Sequence, residues 1–449
     1  MSSVSFTRTN GTPTSQKKFT FSIWYKKVLI RDYGASSVDQ EFINFATSND
    51  ERLSFFINNE NSPYNQVRLV GRNGGSQILD LRTDEMLMDV AGWYHIVAKV
   101  DTTQSSEADR AKIFLNGIEQ TLDTSVRPSQ DTTLNVTQNP YLFSYSGSGN
   151  YLEGNVAHFH YTDGYAYDAS TFGEFDSTSG IWIAKTSPSV TYGTNGFFMK
   201  FASGALGTDS SGESNDFVVS GTMTTTKDTP DNNFATINPN YRQFGTEFTS
   251  VTNSNTTTLN QSTSSWGTLP ATMGVETGKW YAEFKCVTLG VNTVVGVTDI
   301  DNNALNDAAA HYIGQGGGIG EGYQNDGNNS RGGASFGDTY TSGDIIGCAV
   351  DLTNLKLYFS KNGVWQNSGD PTSGATGTGS MVTLTDDITY TFGVTGYNAT
   401  VWSCNFGNGY FGTTSSGTTE ADDAGIGVFK YDVPAGYYAL CTNNLGDQS

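Results

Sequence analysis

The alternation of apolar and polar residues along short stretches constrains the fold of this chain more than any other feature. Apolar side chains occupy every second position at Phe19, Phe21 and Ile23, and the same spacing recurs over 279–286. Successive residues of a strand point to opposite faces of a sheet, so the pattern predicts strands with one buried face. Helical spacing is almost absent, and the one segment that could hold a short helix, 304–312, is too brief to define the architecture.

Tight-turn sequences separate the predicted strands. Asn-Gly is the preferred centre of a two-residue hairpin, because both residues tolerate a positive φ. The segments 112–119 and 356–365 each contain a strand, an Asn-Gly step and a second strand. The chain also holds 52 Gly, 23 Tyr and 26 Phe, a composition typical of short strands joined by turns. We therefore predict an all-β fold of antiparallel strands.

The length of 449 residues indicates two domains, since a large β-sandwich has about 200–250. Between 203 and 240 the sequence becomes rich in Gly, Ser, Thr, Asp and Asn, and it contains Pro230 and Pro239. This composition is typical of a linker. We predict one β-sandwich over 1–202, a linker over 203–240 and a second β-sandwich over 241–449.

The charge of the chain argues against several classes of partner. The net charge is −21, and such a surface repels phosphate backbones and anionic lipids. Residues 1–130 hold 14 basic and 15 acidic residues, whereas the remainder holds 10 and 30. We expect no nucleic-acid partner and no membrane insertion, and no signal peptide is apparent at the start. The nearly neutral first part is expected to dock on other proteins.

No catalytic, metal or cofactor motif is complete. Gly333 to Gly337 matches a serine-nucleophile elbow, but no helix and no His follow it. The acidic segment 299–310 lacks the Gly and Glu of an EF-hand calcium loop, which leaves another kind of calcium site open. His158 and His160 share the spacing of a strand face, and ordinary surface imidazoles are favoured over zinc ligands. We therefore expect that the protein is not an enzyme and that it uses no metal and no cofactor.

The four cysteines, Cys286, Cys348, Cys404 and Cys441, lie among apolar or aromatic neighbours and form no Cys-x-x-Cys pair. Buried free thiols are the favoured interpretation. A disulfide stays open, because four cysteines allow three pairings and the sequence does not choose among them.

Longer motifs resemble known families. The segments 156–166, 192–199, 209–212 and 228–239 resemble the connecting region of virion structural proteins of tailed phages, notably marine phages and cyanophages. The preceding part, with Phe19 to Lys26 and Ile113 to Gly117, is similar to a concanavalin A or laminin G type jelly roll. The later segments 278–284, 343–351, 357–363 and 405–407 resemble a SPRY domain.

These resemblances imply a bacteriophage virion protein, assembled in the bacterial cytoplasm as a tail fibre, spike or head decoration, that displays two binding domains. The partners implied are other virion proteins, sister copies in a homo-oligomer and host-surface carbohydrate. Aromatic side chains in turn-rich loops suit sugar rings, and Tyr323, Trp365 and Tyr397 are the ligand-binding candidates. The alternatives are a purely structural cement protein of capsid or tail and, ranked last, a polysaccharide depolymerase with two catalytic carboxylates.

Overall fold

The structure, a computed structural model, describes residues 3–28, 30, 38–185, 187–241, 248–254, 256–260, 266–300, 312–315 and 320–446. The chain divides into two compact units, Met1–Thr225 and Thr226–Ser449. Residues 304–311 of the candidate helix 304–312 and most of the acidic segment 299–310 lie outside the described residues. Both units are built almost entirely from antiparallel strands, which confirms the all-β prediction.

The first unit contains sixteen strands in its described part. They are β1 (Ser5–Thr7), β2 (Lys18–Lys27), β3 (Gln40–Ser48), β4 (Glu51–Asn58), β5 (Gln66–Asn73), β6 (Ser76–Met86), β7 (Trp93–Asp101), β8 (Ala111–Leu115), β9 (Ile118–Glu119), β10 (Leu122–Val126), β11 (Pro140–Leu142), β12 (Gly154–Asp163), β13 (Gly173–Phe175), β14 (Trp182–Ala184), β15 (Phe197–Met199) and β16 (Val218–Ser220). Two 3-10 turns lie at Glu107–Asp109 and Ala169–Thr171.

These strands form two large sheets and a separate hairpin. The eight-stranded sheet has the order β10-β6-β5-β4-β3-β11-β1-β16, and the six-stranded sheet has the order β15-β12-β2-β7-β8-β9. One apolar core contains side chains from both sheets, including Phe21 from β2 and Phe55 from β4, whose ring centroids are 5.9 Å apart. The hairpin β13–β14 is paired only with itself among the described strands.

Strand β2 is buried on both faces, not on one as its alternation predicts. Phe19, Phe21 and Ile23 face the core as expected, but Ser22 and Trp24 are also buried. The segment after β12 covers this second face, where Trp24 packs with Ala184 of β14. The alternation pattern did not predict the strands of this covering segment, because β13 and β14 are each only three residues long.

The second unit contains seventeen strands in its described part. They are β17 (Phe248–Thr252), β18 (Thr257–Asn260), β19 (Trp266–Pro270), β20 (Lys279–Thr288), β21 (Asn292–Asp299), β22 (Gly320–Gln324), β23 (Ile345–Asp351), β24 (Lys356–Lys361), β25 (Val364–Trp365), β26 (Val382–Thr383), β27 (Tyr390–Tyr397), β28 (Val401–Asn405), β29 (Tyr410–Phe411), β30 (Thr414–Ser415), β31 (Glu420–Ala421), β32 (Val428–Phe429) and β33 (Tyr438–Ala439). Two 3-10 turns lie at Gln366–Ser368 and Pro371–Thr376, and the helix α1 spans Thr442–Leu445.

A nine-stranded and a four-stranded sheet make up most of the second unit. The nine-stranded sheet contains β17-β18-β28-β20-β23-β24-β25, with β26 beside β24 and β33 parallel to β20. The four-stranded sheet has the order β19-β27-β21-β22. A shared core holds Phe284 of β20 and Phe392 of β27, with ring centroids 6.1 Å apart. Cys286, Cys348, Cys404 and Cys441 are buried and free, which confirms the favoured interpretation.

Both predicted Asn-Gly hairpins form. Asn116 and Gly117 have φ values of 46° and 82°, and Leu115 pairs with Ile118 across the turn. Asn362 and Gly363 have φ values of 49° and 82°. Positive φ at both central positions is the signature of the type I′ turn, whose twist matches that of the adjoining strands.

The segment 203–240, which the sequence predicts as a linker, contributes to both units. Strand β16 pairs with β1, and Phe217 is buried in the core of the first unit. Ala235 and Ile237 are buried in the core of the second unit. The boundary between the units lies inside this segment, between Thr225 and Thr226.

Candidate functional site

Three partly exposed aromatic side chains meet at one end of the four-stranded sheet. Trp266 is the first residue of β19, Tyr397 is the last residue of β27, and the two are direct partners in the sheet. Tyr312 lies in the segment that precedes β22. The ring centroid of Trp266 lies 4.5 Å from that of Tyr312 and 5.3 Å from that of Tyr397. We call these three residues the aromatic cluster.

The residues next to the aromatic cluster fix its position. Thr268 and Thr395, two register pairs further along the same two strands, join their hydroxyl groups at 2.8 Å. The backbone N–H of Ile313 donates to the Thr395 hydroxyl at 3.3 Å, and the Ile313 side chain is fully buried. A methyl group added at Gly393 would lie 3.1 Å from the Ile313 side chain. A glycine at this position therefore lets the segment lie close on the sheet and carry Tyr312 to Trp266.

Each ring of the aromatic cluster carries one group that can form a hydrogen bond. Within the described part of the chain, neither the Trp266 indole N–H nor the Tyr312 and Tyr397 hydroxyls make a hydrogen bond. An indole N–H is a donor, and a phenol can donate and accept. The cluster therefore combines apolar ring surface with three hydrogen-bonding groups, which is the composition of a site for a ligand with both apolar and polar faces.

The other two candidates lie elsewhere. Tyr323 is fully buried in the core, and its hydroxyl donates to the carbonyl of Asp338, so its ring offers no face to a ligand. Trp365 on β25 is partly buried, and its ring lies edge-on to Tyr281 at 6.4 Å. It belongs to a different sheet from Tyr397. Of the three candidates, only Tyr397 lies in the aromatic cluster. Sequence reasoning missed its two neighbours, because Trp266 and Tyr312 come together only through the sheet register.

Buried carboxylates in the second unit are used as structural acceptors. Glu283 on β20 accepts the backbone N–H groups of Lys430 and Tyr431 at 2.8 and 2.9 Å. Burial raises the pKa of Glu283 to about 7 despite these bonds. Asp422 accepts the backbone N–H groups of Ile426 and Gly427 at 2.7 and 2.9 Å. Both carboxylates hold the chain that follows β28.

The first unit contains a buried Ser–His contact with the wrong polarity for catalysis. The Ser22 hydroxyl lies 2.8 Å from Nε2 of His95, and Nδ1 of His95 accepts the indole N–H of Trp182 at 3.0 Å. Because indole can only donate, the imidazole carries its single proton on Nε2 and donates it to Ser22. A general base would have to accept a proton from serine, so this pair does not activate a nucleophile.

His160 departs from the predicted surface imidazole, whereas His158 is partly exposed. A bulge lies between Ala157 and His160 in the pairing of β12 with β2. His160 is buried, and its ring stacks on Phe198 with centroids 3.9 Å apart. Among the described residues, no group of three or more His, Cys, Asp or Glu side chains is arranged to hold a metal ion. No helix in the described part is long and apolar enough to cross a membrane.

Comparison with known proteins gives limited similarity. No family model matches the chain. Ran-binding protein 9 of zebrafish and of mouse are each 31% identical over 99 residues, which is 21% of this chain and 15% or 14% of those proteins. The chain therefore spans only a small part of the length of these relatives.

Solved structures with similarity to the chain include SPRY domains. The SPRY domain of human HERC1 covers 33% of this chain at 18% identity with a TM-score of 0.26, and the match includes 87% of that domain. The TRIM65 PSpry domain covers 38% at 13% identity with a TM-score of 0.27, and the match includes 91% of that domain. The chain is thus similar to SPRY domains over about a third of its length.

Proposed function

We propose that this chain is a non-catalytic binding protein whose second unit holds carbohydrate through the aromatic cluster. The observation that carries the proposal is the packing of Trp266 against Tyr312 and Tyr397, with all three polar tips unbonded in the described part of the chain. A pyranose ring has an apolar face that stacks on aromatic rings and hydroxyl groups that bond to indole and phenol tips. The acidic composition of the chain favours neutral sugars over anionic ones, because like charges repel.

Binding of the full chain to an array of neutral and acidic oligosaccharides tests the site. Replacing Trp266, Tyr312 and Tyr397 together by Ala is expected to weaken binding to neutral oligosaccharides at least tenfold, because the substitutions remove all three apolar ring faces and all three hydrogen-bonding groups. Trp365→Ala is the matched control, because it removes a partly buried aromatic ring from another sheet. Full binding by the triple variant, with a far-ultraviolet circular dichroism spectrum like that of the parent, would refute the site.

We further propose that the protein works on the particle of a tailed phage, as a tail fibre, spike or head decoration that contributes to host attachment. The support is the resemblance of 156–239 to virion proteins. Gold-labelled antibodies against the chain are expected to mark intact particles in electron micrographs, and unlabelled particles would contradict the assignment. Particles that lack the protein but adsorb normally would favour the alternative of a cement protein that binds only other virion proteins.

A further inference from the structure

The hairpin β13–β14 lies on the outer face of the six-stranded sheet of the first unit and is held there by Trp182. The indole ring packs near Trp24 and Ala157, and a methyl group added at Gly173 would lie 2.6 Å from the ring. His95 lies in the same stack, with its ring 4.8 Å from Trp24 and 5.9 Å from Trp182. One hydrogen bond, from Trp182 Nε1 to His95 Nδ1 at 3.0 Å, joins the hairpin to the sheet at this point.

The polarity of that bond depends on the protonation state of His95. Neutral imidazole has one acceptor nitrogen, and Nδ1 supplies it to Trp182. A second proton would convert Nδ1 into a donor that faces the indole N–H, which cannot accept. Two donors would then oppose each other in a buried site, and the charge would be desolvated as well.

The contacts of the His95 ring with described residues offer no compensation for a charge. From β2 the ring meets Ser22 and Trp24, and from β14 it meets Trp182. The charged neighbour whose field acts on it is His158 of β12, which carries the same sign when protonated. Burial and this neighbour lower the pKa of His95 to about 3. Lys185 and Glu174 form an ion pair at 3.7 Å that is partly exposed and lies within the hairpin and its flank.

His160, the other buried histidine of this face, differs in its partner. Its Nδ1 lies 2.9 Å from the hydroxyl of Tyr192. Burial lowers the pKa of His160, with smaller contributions from His158, His95 and Lys200. A hydroxyl can rotate and accept where it had donated, so a proton on His160 would not break its contact. Of these two histidine contacts, the His95–Trp182 bond is the one whose partner has a fixed polarity.

We propose that the hairpin β13–β14 is an acid-released strap, in which one proton on His95 breaks the bond to Trp182 and lifts the hairpin from the sheet. Release uncovers the apolar surface formed by Trp24 and Ala157. The closed form holds the pKa of His95 below its ordinary value of 6.5, so the open form binds the proton more strongly. The closed form is therefore fully stabilised above pH 6.5. As the pH falls below this value, the equilibrium constant for closure decreases by up to about tenfold per pH unit.

Hydrogen exchange of the full chain, corrected for the pH dependence of intrinsic exchange, tests the proposal. Peptides covering 173–184 are expected to lose protection between pH 7 and pH 4.5 by at least tenfold, while peptides covering β2 keep theirs. His95→Gln, which retains an acceptor and a donor but does not titrate in this range, is expected to abolish the pH dependence. His160→Gln is the matched control and should leave the pH dependence in place.

A second variant keeps the test decisive if His95→Gln fails to fold. Trp182→Phe removes the opposing donor, so the hairpin should be less protected at pH 7 and its protection should change less with pH. The proposal is overturned if protection of 173–184 is constant between pH 7 and pH 4.5. It is also overturned if protection falls together with that of β2, or if the parental pH dependence persists in Trp182→Phe.

Discussion

The carboxylate of Glu283 accepts the backbone N–H of Tyr431 at 2.9 Å, across 148 positions of sequence. This contact fastens the chain after β32 onto the central strand β20. Burial of the carboxyl raises its pKa from an ordinary 4.5 to about 7. The folded state therefore binds a proton more strongly than the unfolded state between these two values.

The free energy of unfolding of the second unit should consequently depend on pH, because Glu283 titrates at different pH values in the folded and unfolded states. As the pH rises from about 4.5 to 7, ionisation of Glu283 lowers the free energy of unfolding by at most about 1.4 kcal/mol per pH unit. Glu283→Gln is expected to flatten that slope, because the amide stays neutral. Urea unfolding at several pH values measures the effect. Asp386→Asn, at an exposed position, should keep the parental slope, and an unchanged slope in Glu283→Gln would contradict the expectation.

Gly117 should be intolerant of any side chain. Its φ of 82° favours glycine, and a methyl group there would overlap the ring of Trp182. Gly117→Ala is expected to destabilise the first unit by more than the ~1 kcal/mol of a positive φ alone, because the indole must also move. Gly74→Ala is the control, since Gly74 has a φ of 56° but nothing within 4 Å of an added methyl. Equal losses in thermal unfolding would show that the contact with Trp182 is unimportant.

The four cysteines should be unreactive in the native protein. All four are buried, and burial raises the pKa of Cys286 to about 12, which suppresses the reactive thiolate. Iodoacetamide at pH 8 is expected to add no label before unfolding and four labels after unfolding in urea without a reductant. Mass spectrometry counts the labels, and fewer than four after unfolding would indicate a disulfide.

Tyr323 and Tyr397 should differ in the property that their loss affects. Tyr323→Ala creates a cavity in a fully buried core and is expected to cost about 3–5 kcal/mol of unfolding free energy. Tyr397→Ala, at a partly exposed position, should cost much less. Chemical denaturation of both variants compares them directly. A larger loss for Tyr397→Ala would mean that its ring serves mainly to hold the sheet together.

Local sequence patterns predicted the fold class better than the candidate site. Alternation and Asn-Gly turns depend on neighbouring residues, so the all-β class and the hairpins at Asn116 and Asn362 could be derived from them. The aromatic cluster depends on the pairing of Trp266 with Tyr397, which are 131 positions apart in the sequence. No local pattern encodes such a pairing. The burial of Tyr323 was likewise hidden, because its strand is short and glycine-rich.

In each unit, a segment from the beginning of the unit pairs with a segment from its end. In the first, Ser5 of β1 pairs with Ser220 of β16, and in the second, Phe234 bridges to Cys441. The early and late segments of a unit therefore lie side by side, as in domains that accept circular permutation. More than two hundred residues separate β1 from β16 in the sequence. Nearly the whole first unit must therefore be synthesised before β16 can pair with the edge of β1. A chain cut at residue 202 would leave that edge of β1 open to pairing with other molecules.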